Sequence, residues 1–205
     1  MEVLDVKLAK RYILSILDST NRLVQSIYRG VIHGSLFIAV IRHLLGFSMT
    51  FGFCLSVAVE AKQQINERKY PSDLNQGVVI NYKLVSRETG IMESTASEAI
   101  GNLTELHSTE PMMAEWMDAF LNQSKGFVKV RKWCKYDQPT NLCLALMEEV
   151  GELCGVLKFV SDNQAEVTSR IYGDMVSEIC DVFIYFGCLA DMCGLFKDIK
   201  KEATG

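Results

Sequence analysis

The chain has 205 residues, 49% of them hydrophobic and 22% charged, with a formal net charge of −4 at pH 7. That apolar content excludes disorder throughout and suffices for one domain of ordinary size, or for one domain with an appendage. An acidic balance, with a pI near 5.5, leaves no basic footprint; a nucleic-acid polymer is a poor partner, whereas a nucleotide held through a metal remains compatible. The seven cysteines (Cys54, Cys134, Cys143, Cys154, Cys180, Cys188 and Cys193) are odd in number, and five stand among apolar residues at helical spacing. They read as reduced core thiols, which places the protein in the cytoplasm or nucleus. No CxxC or Cys/His ligand set occurs, and His33, His43 and His107 are scattered, so zinc is disfavoured.

In chain order, apolar positions from Val3 to Ile27 recur at helical spacing and predict a helix. Charges interleaved through Met1 to Lys10 give no secretory signal. Glu2 and Asp5 form an acidic first turn that complements the helix dipole. From Gly34 to Val59 the sequence is apolar or small, interrupted strongly only by Arg42 and His43. Its unbroken part, Leu44 to Val59, has 16 residues, against the roughly 20 a spanning helix needs. Arg42 would also be costly in lipid, so a buried helix is preferred to a membrane anchor and a membrane partner is disfavoured. The pattern runs on into AKQQINERKYP, where Pro71 stops the helix. Polar composition from Ser72 to about Glu110, with one strand-like piece at Val78 to Tyr82, reads as a poorly ordered linker. Helical periodicity then returns at Met112 to Trp133, at Asn141 to about Phe159 after a DQPTN turn, and at Ala165 to Met192, with Gly194 as a stop. The predicted class is all-α: a helical segment over 1–73, a linker over 74–110 and a helical core over 111–205.

Chemistry concentrates in two of these helices. Glu149 and Glu152 in MEEVGEL, and Glu178 and Asp181 in SEICDVFIY, are each three residues apart and share a helix face. Two such helices packed together would converge four carboxylates, which cannot all ionise without a cation, and all-oxygen ligands favour Mg²⁺ or Mn²⁺. Solvated Glu-x-x-Glu pairs are common, but these pairs are embedded in apolar sequence (CLALMEEVGELCGVL and ICDVFIYFGCLA), which argues against a wide polar stripe. Tyr185, four after Asp181, and Phe159, seven after Glu152, extend the same faces with aromatic surface, as a nucleotide base requires.

EVGEL followed by E-x-x-D-V-x-I-Y resembles the all-α nucleoside triphosphate pyrophosphatases, the MazG-like and dimeric dUTPase superfamily, and within it the dCTP pyrophosphatase branch. Trp133, then Gln138, Pro139 and Asn141, then LCLALMEEVGEL follow that branch's order, so the resemblance covers about Glu115 to Gly194. It implies a MazG-like helical bundle in which Glu149, Glu152, Glu178 and Asp181 hold Mg²⁺ (or Mn²⁺) and serve catalysis, while Trp133 and Tyr185 border the base and sugar. Phe159 stands where the family has a second tryptophan, and Ser124 where it often has a histidine. The family's later helix ending K-x-x-x-N-x-x-x-Y-P, whose lysine and asparagine approach the phosphates, is absent after Gly194 but occurs at Lys62, Asn66, Tyr70 and Pro71. Lys62, Asn66 and Lys69 share one helix face, which suits phosphate contact.

The implied reaction is Mg²⁺-dependent hydrolysis of dCTP or a related, modified dNTP to the monophosphate and pyrophosphate, by a homo-oligomer (dimer or tetramer). Because the phosphate helix precedes the cage, the chain looks like the back part of one copy joined to the front part of another: a fragment of a tandem gene, an imperfectly joined gene, or a functional permutation. A second reading is a catalytically incomplete helical remnant, a pseudoenzyme acting as an oligomerisation partner. A third is a protein tethered to a membrane by Leu36 to Val59.

Overall fold

The computed structural model describes residues 5–71, 138–161 and 169–195, together with positions 122 and 126. The 74–110 linker, its VVINY piece and nearly all of the predicted Met112 to Trp133 helix lie outside the described residues; Asn122 and Gly126 are helical. The described chain forms α1 (Val6–Tyr28), α2 (Gly34–Thr50), α3 (Leu55–Lys69), α4 (Pro139–Leu157) and α5 (Ser169–Met192), with no strand among the described residues. The fold class is all-α, as the periodicity predicts.

The Asp5 carboxylate caps α1 by accepting the Leu8 N–H at 2.9 Å, an interaction typically contributing about 1 kcal/mol. The inward stripe of α1 is Val6, Ala9, Ile13, Ile16, Thr20 and Leu23, the spacing that keeps one side of a helix dry. Pro139 sits in the first turn of α4, where its missing N–H removes no helical hydrogen bond. Helix α5 ends at Met192, and Gly194 just beyond it has a left-handed φ of +71°; Leu195 N–H then donates to the Ala190 carbonyl at 3.0 Å, closing the end of the helix.

The apolar block from Gly34 to Val59 departs from the single helix expected of it. It breaks at residues 51–54, and α2 and α3 meet at a 99° bend. Gly52 lies at the break with φ +72°, and Phe53 N–H donates back to the Ser48 carbonyl at 3.1 Å. Uniform hydrophobicity conceals such a corner. Among the described residues no single helix is long and apolar enough to cross a membrane, although the bent α2–α3 pair together meets the length and composition for it. Phe37, Val40, Ile41, Leu44, Phe47, Leu55, Ala58 and Val59 of that pair are buried within the protein's own core.

Helix α5 is central. It packs against α4, α3 and α2, while α1 packs against α2 and α4. The segments before and after the linker therefore share one apolar core, running from Val6 to Ala190. Aromatic contacts tie them: Phe37 of α2 meets Phe186 of α5 at 5.6 Å, and Phe53 meets Tyr172 edge-on at 6.4 Å. The Tyr172 hydroxyl donates to the Phe51 carbonyl at 3.1 Å, satisfying a backbone acceptor at the bend. Lys10 of α1 likewise donates to the Val160 carbonyl just beyond α4, at 2.6 Å.

Phe186→Ala is expected to lower stability by about 3–5 kcal/mol, and urea unfolding should remain one transition in which α1 and α4 amides lose exchange protection together. Gly52→Ala should cost about 1–2 kcal/mol by forcing a side chain into left-handed backbone. Separate transitions for the two segments would contradict a shared core.

Candidate metal and nucleotide site

Among the described residues, helices α4 and α5 form the most extensive pairing. Their contact brings carboxylate oxygens of Glu149, Glu152 and Glu178 within 4.8 Å of one another. Leu146, Val150 and Leu153 on α4 and Val176, Ile179 and Val182 on α5 are buried around them, which fixes the axial register of the two acidic pairs. One Glu178 oxygen, Oε2, is shut off from solvent. Opposite ligands around Mg²⁺ stand about 4.2 Å apart, from metal–oxygen distances of about 2.1 Å. Adjacent ligands of such an octahedron stand only about 3.0 Å apart, so the three oxygens must draw together to share one ion, and their all-oxygen chemistry fits a hard divalent cation.

Asp181 stands beside this group but is engaged differently. Its Oδ2 lies 2.5 Å from Lys62 Nζ, and the same ammonium donates to Ser177 Oγ at 2.6 Å. Helix α3, packed on α5, carries Lys62 there from the far side of the linker. Burial alone would lower the Lys62 pKa. Asp181, by charge and hydrogen bond, and then Glu178 more than offset this, and Lys62 is held well above its ordinary range, fully charged.

Glu149 shows the opposite imbalance. Burial, then the neighbouring charges of Asp181, Glu178 and Glu152, push its carboxyl up to about 9, against an ordinary value of 4.5, with Lys62 as the counteracting charge. One lysine does not neutralise four acids. Burial first, then Glu149 and Asp181, also push the Tyr185 phenol up, so its hydroxyl stays protonated beside the carboxylates. The thiol of Cys180, fully buried on α5, is pushed up chiefly by burial and is no nucleophile.

The structure thus brings together Glu149, Glu152 and Glu178, with Asp181, Lys62 and Tyr185 next to them. Asn66 falls one turn beyond Lys62 on α3. Phe159 differs from expectation: α4 ends at Leu157, so Phe159 leaves the helix face shared with Glu152, is 89% exposed and lies under the Lys158 ammonium at 4.8 Å. Trp133 and Ser124 are outside the described residues. Ser177 is absent from the expected set. Its signal was present, one turn before Asp181 on the same face, but a serine in a helix carries no meaning until its partner is known.

An all-helical core that presents convergent carboxylates from two helices, backed by a charged lysine from a third, defines a class of site suited to a cation and an anionic ligand. Over a stretch of 70 residues, 33% of this chain, the sequence is 36% identical to dCTP pyrophosphatase 1 of Homo sapiens. The same identity and coverage hold for dCTP pyrophosphatase 1 of Mus musculus. In each case the match spans 41% of the relative's length. No family model matches the chain, and no solved structure matches it significantly.

The folded-state pKa of Glu149 lies above its unfolded value, so its contribution to stability without metal is complete below about 4.5 and lost as pH rises through about 9. The melting temperature of metal-free protein should therefore fall between pH 6 and 9.5. Glu149→Gln should flatten that slope in differential scanning calorimetry, and Mg²⁺ should raise the melting temperature of wild type most at the alkaline end.

Proposed function

We propose that this protein is a Mg²⁺-dependent nucleoside triphosphate pyrophosphatase acting on dCTP or a related, modified dNTP. The observation that carries this reading is the docking of α3 onto the acidic face of α5, with Lys62 Nζ 2.5 Å from Asp181. A phosphate-type lysine that precedes the carboxylates by a long linker is nonetheless delivered to them within one chain. Partial identity to dCTP pyrophosphatase 1 supports the substrate class.

In this reading Glu149, Glu152, Glu178 and Asp181 hold the cation and Lys62 faces the phosphates. Bound Mg²⁺ would neutralise phosphate oxygens and lower the pKa of a coordinated water. A carboxylate of Glu152 or Glu178 not fully engaged orients the attacking water and takes its proton as the bond between the α- and β-phosphates breaks. Lys62, already charged and held in place, stabilises negative charge developing on the departing pyrophosphate, with Asn66 one turn further along α3. Tyr185, protonated, offers a donor and a ring face toward the sugar and base.

The reading predicts pyrophosphate release from a dNTP panel in Mg²⁺, with dCTP or a modified analogue preferred and Glu149→Gln reducing kcat at least 100-fold, the order expected for removing one charged participant. Absence of turnover by folded wild-type protein, or equal turnover by both proteins, would establish the helical remnant instead.

A further inference from the structure

The hairpin of α1 and α2 ends in a turn that holds apolar side chains outward. Arg29 closes α1, and Gly30 follows in the left-handed region with φ +71°. The N–H groups of Gly30 and Val31 donate back to the Ile27 and Ser26 carbonyls at 2.9 and 3.0 Å. In this helix-ending geometry the residue in the Val31 position frequently packs on an apolar side chain one turn back. Here those helix residues are Gln25 and Ser26, neither of which offers an apolar partner. Tyr28 is 84%, Val31 49% and Ile32 45% exposed, and these are three of the seven large hydrophobic side chains exposed among the described residues. The Val31 carbonyl also accepts from the Ser26 hydroxyl, so the tip is a fixed projection and not a frayed end.

The charge of this hairpin is opposite to that of the whole protein. Between Asp18 and Glu60 no acidic residue occurs, whereas Arg22, Arg29 and Arg42 do, so residues 19–59 carry +3 in a chain of net −4. All three arginines are exposed. Arg22 reaches Asp18 at 4.0 Å, an exposed pair that binds weakly and leaves its charge available. We infer that the α1–α2 tip is a docking surface for a membrane bearing anionic phospholipid, with Tyr28, Val31 and Ile32 entering the headgroup boundary and Arg29 pairing with lipid phosphate. Tyrosine suits that boundary because its ring is apolar and its hydroxyl polar. Arg22 and Arg42, one on each helix, stand roughly 10 Å behind the tip, about one Debye length, and add long-range attraction. This contact differs from the spanning anchor that Arg42 disfavours, because at a surface an arginine stays among headgroups. The charge pattern also selects the occupant. Symmetric pairing of two copies through the tip would set Arg29 against its own counterpart, and a partner helix needs a groove, whereas a hairpin tip is convex.

None of these residues belongs to the carboxylate site, so the test is independent of the proposed pyrophosphatase activity. Full-length protein should sediment with large unilamellar vesicles of phosphatidylcholine and phosphatidylserine in equal amounts, and at least tenfold less with phosphatidylcholine alone. Added salt should weaken the binding. Arg22→Gln/Arg29→Gln/Arg42→Gln and Val31→Ser/Ile32→Ser should each lower the partition coefficient at least tenfold. Circular dichroism and melting temperature should not change, since all five side chains are exposed. Tyr28→Trp should add emission that shifts to the blue on binding and is quenched by brominated lipid, which adsorption by charge alone would not produce. No binding by folded wild type, equal binding to both vesicles, binding indifferent to either multiple variant, or added emission indifferent to lipid would each overturn the inference. So would self-association of wild type that Val31→Ser/Ile32→Ser abolishes, which assigns the tip to a second copy.

Discussion

A charged ammonium cannot remain in an apolar helical core without acceptors, and the placement of Lys62 organises much of this molecule. Its two acceptors, Ser177 and Asp181, both belong to α5, so α3 has one docking position rather than a range of sliding ones. That demand reaches back along the chain. To lie against α5 after α2 has packed on α1, the backbone must turn through 99° in four residues, and Gly52 supplies the left-handed conformation. Aromatic rings of Phe47, Phe51, Phe53 and Tyr172 contact one another at that corner.

The same lysine sets the electrostatics of the carboxylates. It pairs with Asp181 while Glu149, Glu152 and Glu178 converge beside it, and burial and the neighbouring acids outweigh the opposing charge of Lys62 and keep Glu149 protonated far above the usual carboxylate range. An acidic cluster in this condition stores unfavourable energy that a divalent cation relieves. This arrangement follows from helix geometry: one turn of α5 separates an acid that meets α4 from an acid that meets α3.

Helix positions were largely legible in the sequence, because α1, α4 and α5 each bury a stripe repeated at 3.6 residues and Gly194 marks a stop; their starts were less so, since Pro139, expected in a turn before Asn141, is the first residue of α4, and Asp5, expected in a first helical turn, is the cap before it. The α2–α3 corner was not, since an unbroken apolar run satisfies one long helix and two short ones equally well. Phe159 shows a similar limit. Extending the α4 period by two residues put it on the Glu152 face, but the chain leaves the helix at Leu157 and the ring turns to solvent.

The sequence by itself determined that two pairs of acids lie on two helix faces within apolar surroundings, since the spacing of residues three apart is a property of any α-helix. It also placed Lys62 and Asn66 on one face of a helix that Pro71 must end. Only the tertiary structure decided which acids meet one another and which meets the lysine. Ser177 and Lys62 are separated by 115 residues, and no local periodicity encodes a contact between them. That contact exists because burying the apolar faces of α3 and α5 together leaves the ammonium a single place where its charge is satisfied.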